Sequence, residues 1–372
     1  MTPLGAVIMV GGGGETPQER LILAAQRAST IDLIALLRGQ GIAQIIVAAP
    51  TTDWIDPSLE VICADDPPEP FHFGQRLAAL INDHALDSLL YFGGASAPLL
   101  TPALVAMITG LLDKAGVSVP SHIVLTNNLH SSDWAAISHL REAIPYLAMM
   151  GRDNSLAWEL RESGIYEVRV LSSIRPASSM DIDTPSDLAI LAHHPDVGKA
   201  LRTVLDDPRL HAVPVGGVLE VMRTEGKTLA LIGRVSPGAW TALNKAARVW
   251  TRVIAEERGM VASERVTRGE VRSMLRHWIE GRGFDGFFSD LCDLADAALF
   301  DTRVVFAAFG KDPDGADRFA SDLLDPEAIR DDWVREFTAA ARRASIPIVL
   351  GGHSVVSGGL HALIEIIELG WR

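Results

Sequence analysis

Apolar positions in the first half of the chain recur in two rhythms. Short β-branched runs predict strands at Ala6–Val10, Gln44–Ala48, Leu59–Cys63, Ser88–Phe92, His122–Leu125 and Glu167–Leu171. Between them, apolar residues return every three or four positions. That spacing predicts helices at Arg20–Leu37, Gly74–Asp83, Pro102–Leu112, Asp133–Glu142, Ser155–Glu162 and Pro185–Ala192. The strands are apolar throughout, as when helices cover both faces of a mostly parallel sheet. Strand–helix alternation at this spacing predicts a doubly wound, mostly parallel α/β sheet of Rossmann-like nucleotide-binding topology over residues 1–195. Such sheets bind ligands beyond the carboxyl ends of their strands, so residues that directly follow strands carry the information.

The rhythm breaks after His193. Residues 196–217 read as a linker, and 218–372 as a smaller, mainly helical domain. Its expected helices are Pro237–Arg258, Thr267–Glu280, Phe287–Ala297 and Pro326–Ala344, with short strands at Arg303–Ala308 and Ile346–Leu350. A length of 372 residues agrees with about two domains.

Composition narrows the function classes. A net charge of −14 with no block of like charges argues against a general nucleic-acid or anionic-membrane binder. The two cysteines, Cys63 and Cys292, form neither a disulfide framework nor a zinc signature. The amino terminus lacks a basic leader and no apolar run is long enough to span a bilayer, so a cytoplasmic protein is expected. Nothing in the sequence opposes a homo-oligomer.

The segment after the first strand reads Gly11-Gly12-Gly13-Gly14 and then Glu15-Thr16-Pro17-Gln18-Glu19-Arg20. Glycines permit positive φ and let a phosphate approach main-chain N–H groups without Cβ interference. The helix that follows offers further N–H groups and a positive dipole end. No Lys-Ser/Thr pair closes the loop, so it is not a P-loop. Thr16 stands where a dinucleotide fingerprint needs glycine, which also disfavours a nicotinamide oxidoreductase. The plain alternative is a turn with a helix cap, since Thr16-Pro17-Gln18-Glu19 fits a capping box with proline at the first helical position.

Taken with later segments, this loop resembles that of the GT-A-like nucleotidyltransferases, the group of molybdenum-cofactor, phospholactate and isoprenoid-precursor nucleotidyltransferases. The resemblance spans about the first half of the chain. It places Gly11–Gly14 on the family's glycine loop, Thr16 where a loop Arg is usual, and Arg20 where a Lys is usual. Phe73–Ile81 is similar to the helix that flanks the nucleotide base, with Gln75 and Arg76 at its opening. Tyr91–Thr101 is similar to the segment that normally reads Asp-x-Pro, with Gly94 before it and Ser96 in place of the metal-binding Asp. Asp181–Leu191 resembles the closing segment, with Asp183 as the second carboxylate. The resemblance implies transfer of a nucleoside monophosphate from a nucleoside triphosphate to a small phosphorylated or hydroxylated acceptor, releasing pyrophosphate. It also implies Mg²⁺ held by Asp183, with Arg20 and Asp183 catalytic.

Two further strand-end segments carry short polar groups. Leu125–Trp134 contains Asn128, His130 and Asp133, and Gly151–Ser155 contains Arg152; both suit an acceptor, and both also suit turns and helix caps. Asp187 in Thr184-Pro185-Ser186-Asp187 reads as a second capping box. Gly351-Gly352-His353-Ser354 through Gly359 repeats the strand, glycine loop, helix order and could form a second anion nest or a close packing seam. The competing reading for the whole chain is a non-catalytic nucleotide or sugar-nucleotide binding protein with a C-terminal assembly domain.

Overall fold

The computed structural model describes residues 4–68, 70–115, 122–171 and 176–370. The chain divides into two compact units. The first comprises the chain up to Gly13, Leu23–Asp181 and Gly198–Leu201; the second comprises Gly14–Ile22, Ile182–Val197 and everything from Arg202 onward.

The first unit is an α/β sandwich around seven strands: β1 (Leu4–Met9), β2 (Gln44–Ala49), β3 (Ile62–Asp65), β4 (Ser88–Gly93), β5 (Ile123–Thr126), β6 (Trp134–Ile137) and β7 (Glu167–Val170). Their order is β3-β2-β1-β4-β6-β5-β7, and β6 alone runs antiparallel to its neighbours. Side chains alternate between two cores. Ala6 and Ile8 of β1 face a cluster with Leu33, Ile34 and Leu37, whereas Val7 faces Phe73, Leu77 and Leu147 on the other side. Both faces are therefore covered, which is why the strands read as unbroken apolar runs.

One expectation fails here. Trp134–Ile137, placed in a helix Asp133–Glu142, is strand β6, and the helix begins only at Leu140. All four residues of β6 are buried, so the run carries no period-two signal. His139 then turns the chain at φ 54°.

The second unit is helix-rich, but a four-stranded, all-parallel sheet runs through it. Its strands are β8 (Thr228–Gly233), β9 (Trp250–Ala255), β10 (Ala297–Asp301) and β11 (Ile348–Gly351), in the order β11-β10-β8-β9. One face packs Ala230, Ile232, Phe300 and Leu350 against Ile279, Phe288 and Phe337 of flanking helices. The expected helix Pro237–Arg258 ends at Ala246 and gives way to β9, while the expected strand Arg303–Ala308 is a helix that starts just after β10. The segment 196–217 carries a helix at Lys199–Leu205 and the start of another at Val215. Asp32 anchors the first of these by accepting from the Ala200 and Leu201 N–H groups at 2.9 and 2.8 Å, within the first unit. No described helix is long and apolar enough to cross a membrane.

Candidate functional site

In the first sheet, β2 lies on one side of β1 and β4 on the other, so the chain reverses its direction of winding at the β1/β4 boundary. That boundary is where open α/β sheets leave a crevice for ligands. Two glycines let the backbone pack closely at this boundary. Gly94 has no Cβ, and one placed there would lie 2.7 Å from the Val10 Cα, while its N–H donates to the Met9 carbonyl at 2.7 Å. Gly12 likewise leaves only space enough for the ring of Pro50, 2.6 Å from where its Cβ would stand.

Gly11, Gly12 and Gly13 are exposed, and Gly13 sits at φ 115°, a conformation that side chains disfavour. Their N–H groups donate to no acceptor among the described residues. Three successive N–H groups without a protein acceptor at a strand end are donors of the kind that meet phosphate oxygens.

The next nine residues, Gly14–Ile22, belong to the second unit. Gly14, at φ 148°, allows the backbone of Glu19 and Arg20 to approach to 3.1 and 3.2 Å of its absent Cβ. The predicted capping box forms: Glu19 Oε2 accepts from the Thr16 N–H at 3.0 Å and the Thr16 hydroxyl at 2.9 Å, and the Glu19 N–H donates to Thr16 Oγ1 at 3.3 Å. These bonds, the Thr16 N–H foremost, hold the Glu19 carboxyl below the usual range. The helix start is thus occupied by its own carboxylate. Arg20 donates to the Glu15 carbonyl and braces this turn.

Ser96 is buried, and its hydroxyl donates to the Gly93 carbonyl at 2.7 Å. A serine spent on a turn lacks the charge and free lone pairs of the Asp that holds Mg²⁺ in the resembling family, so the residues at the end of β4 do not fit that metal. Among the described residues no group of three His, Cys, Asp or Glu side chains gathers as a metal site. Arg76 is also committed: it pairs with Asp66 at 3.0 Å and donates to the Ala64 and Asp65 carbonyls at 3.0 and 2.8 Å, tying down the end of β3. Gln75 is exposed beside it. Their helix packs closely on the end of the helix Leu140–Leu147 because Gly74 leaves its Cβ volume to the Leu147 carbonyl, 1.9 Å away.

The polar run after β5 builds a turn. Asn127 and Asp133 bond to each other across it, Ser132 Oγ donates to the Asn128 carbonyl at 3.0 Å, and the Asn128 side chain accepts from the His130 N–H at 3.1 Å. Asn128 and His130 remain exposed, His130 over the Trp158 ring at 4.6 Å. The turn adjoins the crevice, because the Gly93 N–H donates to the Asp133 carbonyl at 3.0 Å. Arg152 is exposed next to Asp153. Asp153 was not among the expected residues, yet it accepts from the Tyr91 hydroxyl at 3.2 Å. Burial first, then the charge of Asp153, pushes that phenol well above its ordinary pKa. The strand-end edge of the first unit therefore gathers Gly11–Gly13, Gly94, Ser96, Asn128, Asp133 and Arg152. Arg20 and Asp183 belong to the second unit.

In that unit the second capping box also forms. Asp187 Oδ2 accepts from the N–H groups of Asp183 and Thr184 at 3.1 and 2.8 Å and from the Thr184 hydroxyl at 2.9 Å. Asp183 itself is exposed. Periodicity alone did not flag the ionic pairs beneath: Arg234 with Asp301, and Arg303 with Asp322, both carboxylates fully buried.

No protein-family model matches this sequence, and no curated protein does. Solved structures do resemble it in part. A cytidylyltransferase from Leptospira borgpetersenii is 13% identical, covering 56% of this chain and 97% of the other at a TM-score of 0.40. A 2-C-methyl-D-erythritol 4-phosphate cytidylyltransferase from Thermus thermophilus is 16% identical, covering 53% and 97% at 0.34. The glycosyltransferase GlyE of Streptococcus pneumoniae is 9% identical, covering 79% and 84% at 0.29.

Proposed function

We propose that the first unit binds the phosphates of a nucleoside triphosphate on Gly11–Gly13, and that the chain is a nucleotidyltransferase for a small phosphorylated or hydroxylated acceptor. The observation that carries this reading is the row of open N–H donors at the β1/β4 boundary. An acceptor oxygen would attack the α-phosphorus, forming a new P–O bond as the bond to the β-phosphate breaks and pyrophosphate leaves. The chain's part is to position both partners and to meet the developing charge with fixed dipoles. Asn128, His130, Asp133 and Arg152 line the same edge and would orient the acceptor.

A second reading is supported by specific contacts. Ser96, Arg76 and Arg20 are each spent on backbone carbonyls, which leaves little charge for catalysis. The same loop would then bind a nucleotide without transferring it.

Calorimetric titration with each of the four triphosphates, with and without EDTA, tests both. Saturable binding that Gly13→Val weakens by about tenfold or more is expected, because valine at this φ is strained and blocks the donors. Absence of binding to all four triphosphates would overturn both readings. Pyrophosphate release on an acceptor panel supports transfer. Binding that survives EDTA and Asp183→Asn without any release supports the non-catalytic reading.

A further inference from the structure

The second unit has a strand-order reversal of its own. From β8 the chain adds β9 on one side and β10 on the other, and all four strands are parallel. The β8/β10 carboxyl ends are therefore a second boundary of the kind that binds ligands. Gly233 ends β8 at φ 113°, and a Cβ there would lie 2.5 Å from that of Asp301. This approach lets Arg234 grip Asp301 through Nε at 2.6 Å, Nη2 at 3.0 Å and its N–H at 3.2 Å. Burial pushes the Asp301 carboxyl up, but the charge and bonds of Arg234 outweigh it and hold the group ionised.

The grip uses only one edge of the guanidinium. Arg234 Nη1 has no acceptor among the described residues, and the side chain stays 21% exposed. Arg258, exposed and without a carboxylate partner among the described residues, lies along the same strand end, its Nη1 donating to the Arg234 carbonyl at 3.3 Å. His353, directly after β11 and Gly352, joins them. The His353–Val356 segment is tied to the end of β8 by the Ser236 N–H, which donates to the Val356 carbonyl at 3.0 Å, and burial, then the charges of Arg234 and Arg258, push the His353 pKa down to about 4. His353 Nε2 is buried here without a hydrogen-bond partner, and beside it Ser354 Oγ and Asp187 Oδ1, also buried, have only a poorly formed contact with each other. Asp187 is 0% exposed. Unpaired buried polar atoms are rare and call for an occupant.

We infer that the carboxyl end of the second unit's sheet binds a small hydroxylated oxyanion, a polyol phosphate or a hydroxy carboxylate in chemical class. The anion lies on the open edge of Arg234, on Arg258 and on His353, while Ser354 and Asp187 take a neighbouring hydroxyl. The site is independent of the glycine loop and of the nucleotide reading. A guanidinium already oriented by a buried carboxylate presents its remaining donors at fixed angles, which suits a planar or tetrahedral oxyanion.

The test is calorimetric titration of the full chain with glycerol 3-phosphate, inorganic phosphate and glycerate. The phosphate and carboxylate arms distinguish the two anion sources, and inorganic phosphate measures the contribution of the hydroxyls. Wild type should bind at least one polyol anion saturably and more tightly than inorganic phosphate. Arg258→Ala should weaken that binding about tenfold, the effect of losing one charge-assisted bond, and His353→Gln should weaken it less. Gly13→Val should leave it unchanged. Titration of the His353 ring signals by NMR gives a readout in the wild type that needs no variant. No binding, binding lost in Gly13→Val but retained in Arg258→Ala, or His353 signals unmoved by a bound anion would each overturn the inference.

Discussion

The two sheets place their strand-order reversals on opposite chemistry. At the β1/β4 boundary the chain contributes backbone: glycines, open N–H groups and turns that satisfy themselves. At β8/β10 it contributes charge, with Arg234–Asp301 and Arg303–Asp322 filling the strand ends. A site made of backbone dipoles can be emptied of side-chain charge and still attract an anion. A site made of buried ion pairs depends on every partner, because removing one strands the other in low dielectric.

The sharpest way to break the comparison is to remove a single carboxylate. Asp322→Ala leaves the buried Arg303 without its bidentate partner and should cost the second unit about 3–5 kcal/mol, read as a drop in its urea midpoint. A midpoint within error of wild type would show that the pair is not the structural element described. In the first unit the severest single change is steric. Gly74→Ala drives a Cβ into the Leu147 carbonyl and should cost about 1–3 kcal/mol, measured the same way.

A pH series sharpens it further. Burial first, then the charge of Asp183, raises the Asp187 carboxyl from 3.8 to about 7, against bonds from Ser354 and Thr184. Its folded pKa exceeds its unfolded one, so its stabilisation is present in acid and lost as the pH rises from about 4 to about 7. His353 is depressed from 6.5 to about 4, so its stabilisation is present above 6.5 and lost as the pH falls toward 4. The two slopes oppose each other in the wild type. Relative to it, Asp187→Asn should make stability climb with pH across this window by about 1.4 kcal/mol per unit at most, and His353→Gln should make it fall. Urea midpoints at about pH 5 and about pH 7.5 measure both; slopes parallel to wild type in both variants would contradict these assignments. The smallest effect is expected at the helix start, where Thr16→Ala should cost about 1 kcal/mol by thermal melting.

The middle of the first unit's sheet was legible because β1, β2 and β4 are mostly buried runs of six residues bounded by helices, which leave a strong alternating signal. β6 was not legible, because it is apolar on both faces and reads as the opening of the helix behind it. In the second unit β8 follows a helix so closely, and β10 precedes one so closely, that their apolar runs merge with helical periodicity. The candidate site was legible where it is backbone. Four glycines in a row announce an unusual conformation, and both capping boxes are local patterns. It was illegible where side chains meet at long range, because Arg234 and Asp301 are 67 positions apart. Arg76 and Ser96 show the converse: residue type suggested ligands, but the Ala64, Asp65 and Gly93 carbonyls claimed them first.

The Arg209 guanidinium reaches the Pro17 carbonyl at 3.0 Å, and a Cβ on Gly315 would meet Glu19 at 2.9 Å, so the first turns of the long helix Pro17–Gly39 pack with the second unit while its remainder packs with the first. The short stretch Gly198–Leu201 makes the reverse exchange through Asp32. No single cleavage point can therefore separate the two units into whole pieces. A fragment beginning near residue 218 would lack Gly14–Ile22 and Ile182–Val197, and its apolar surface there would be bare. The chain passes between the units five times, after Gly13, Ile22, Asp181, Val197 and Leu201, so neither unit can be cut out as one continuous segment.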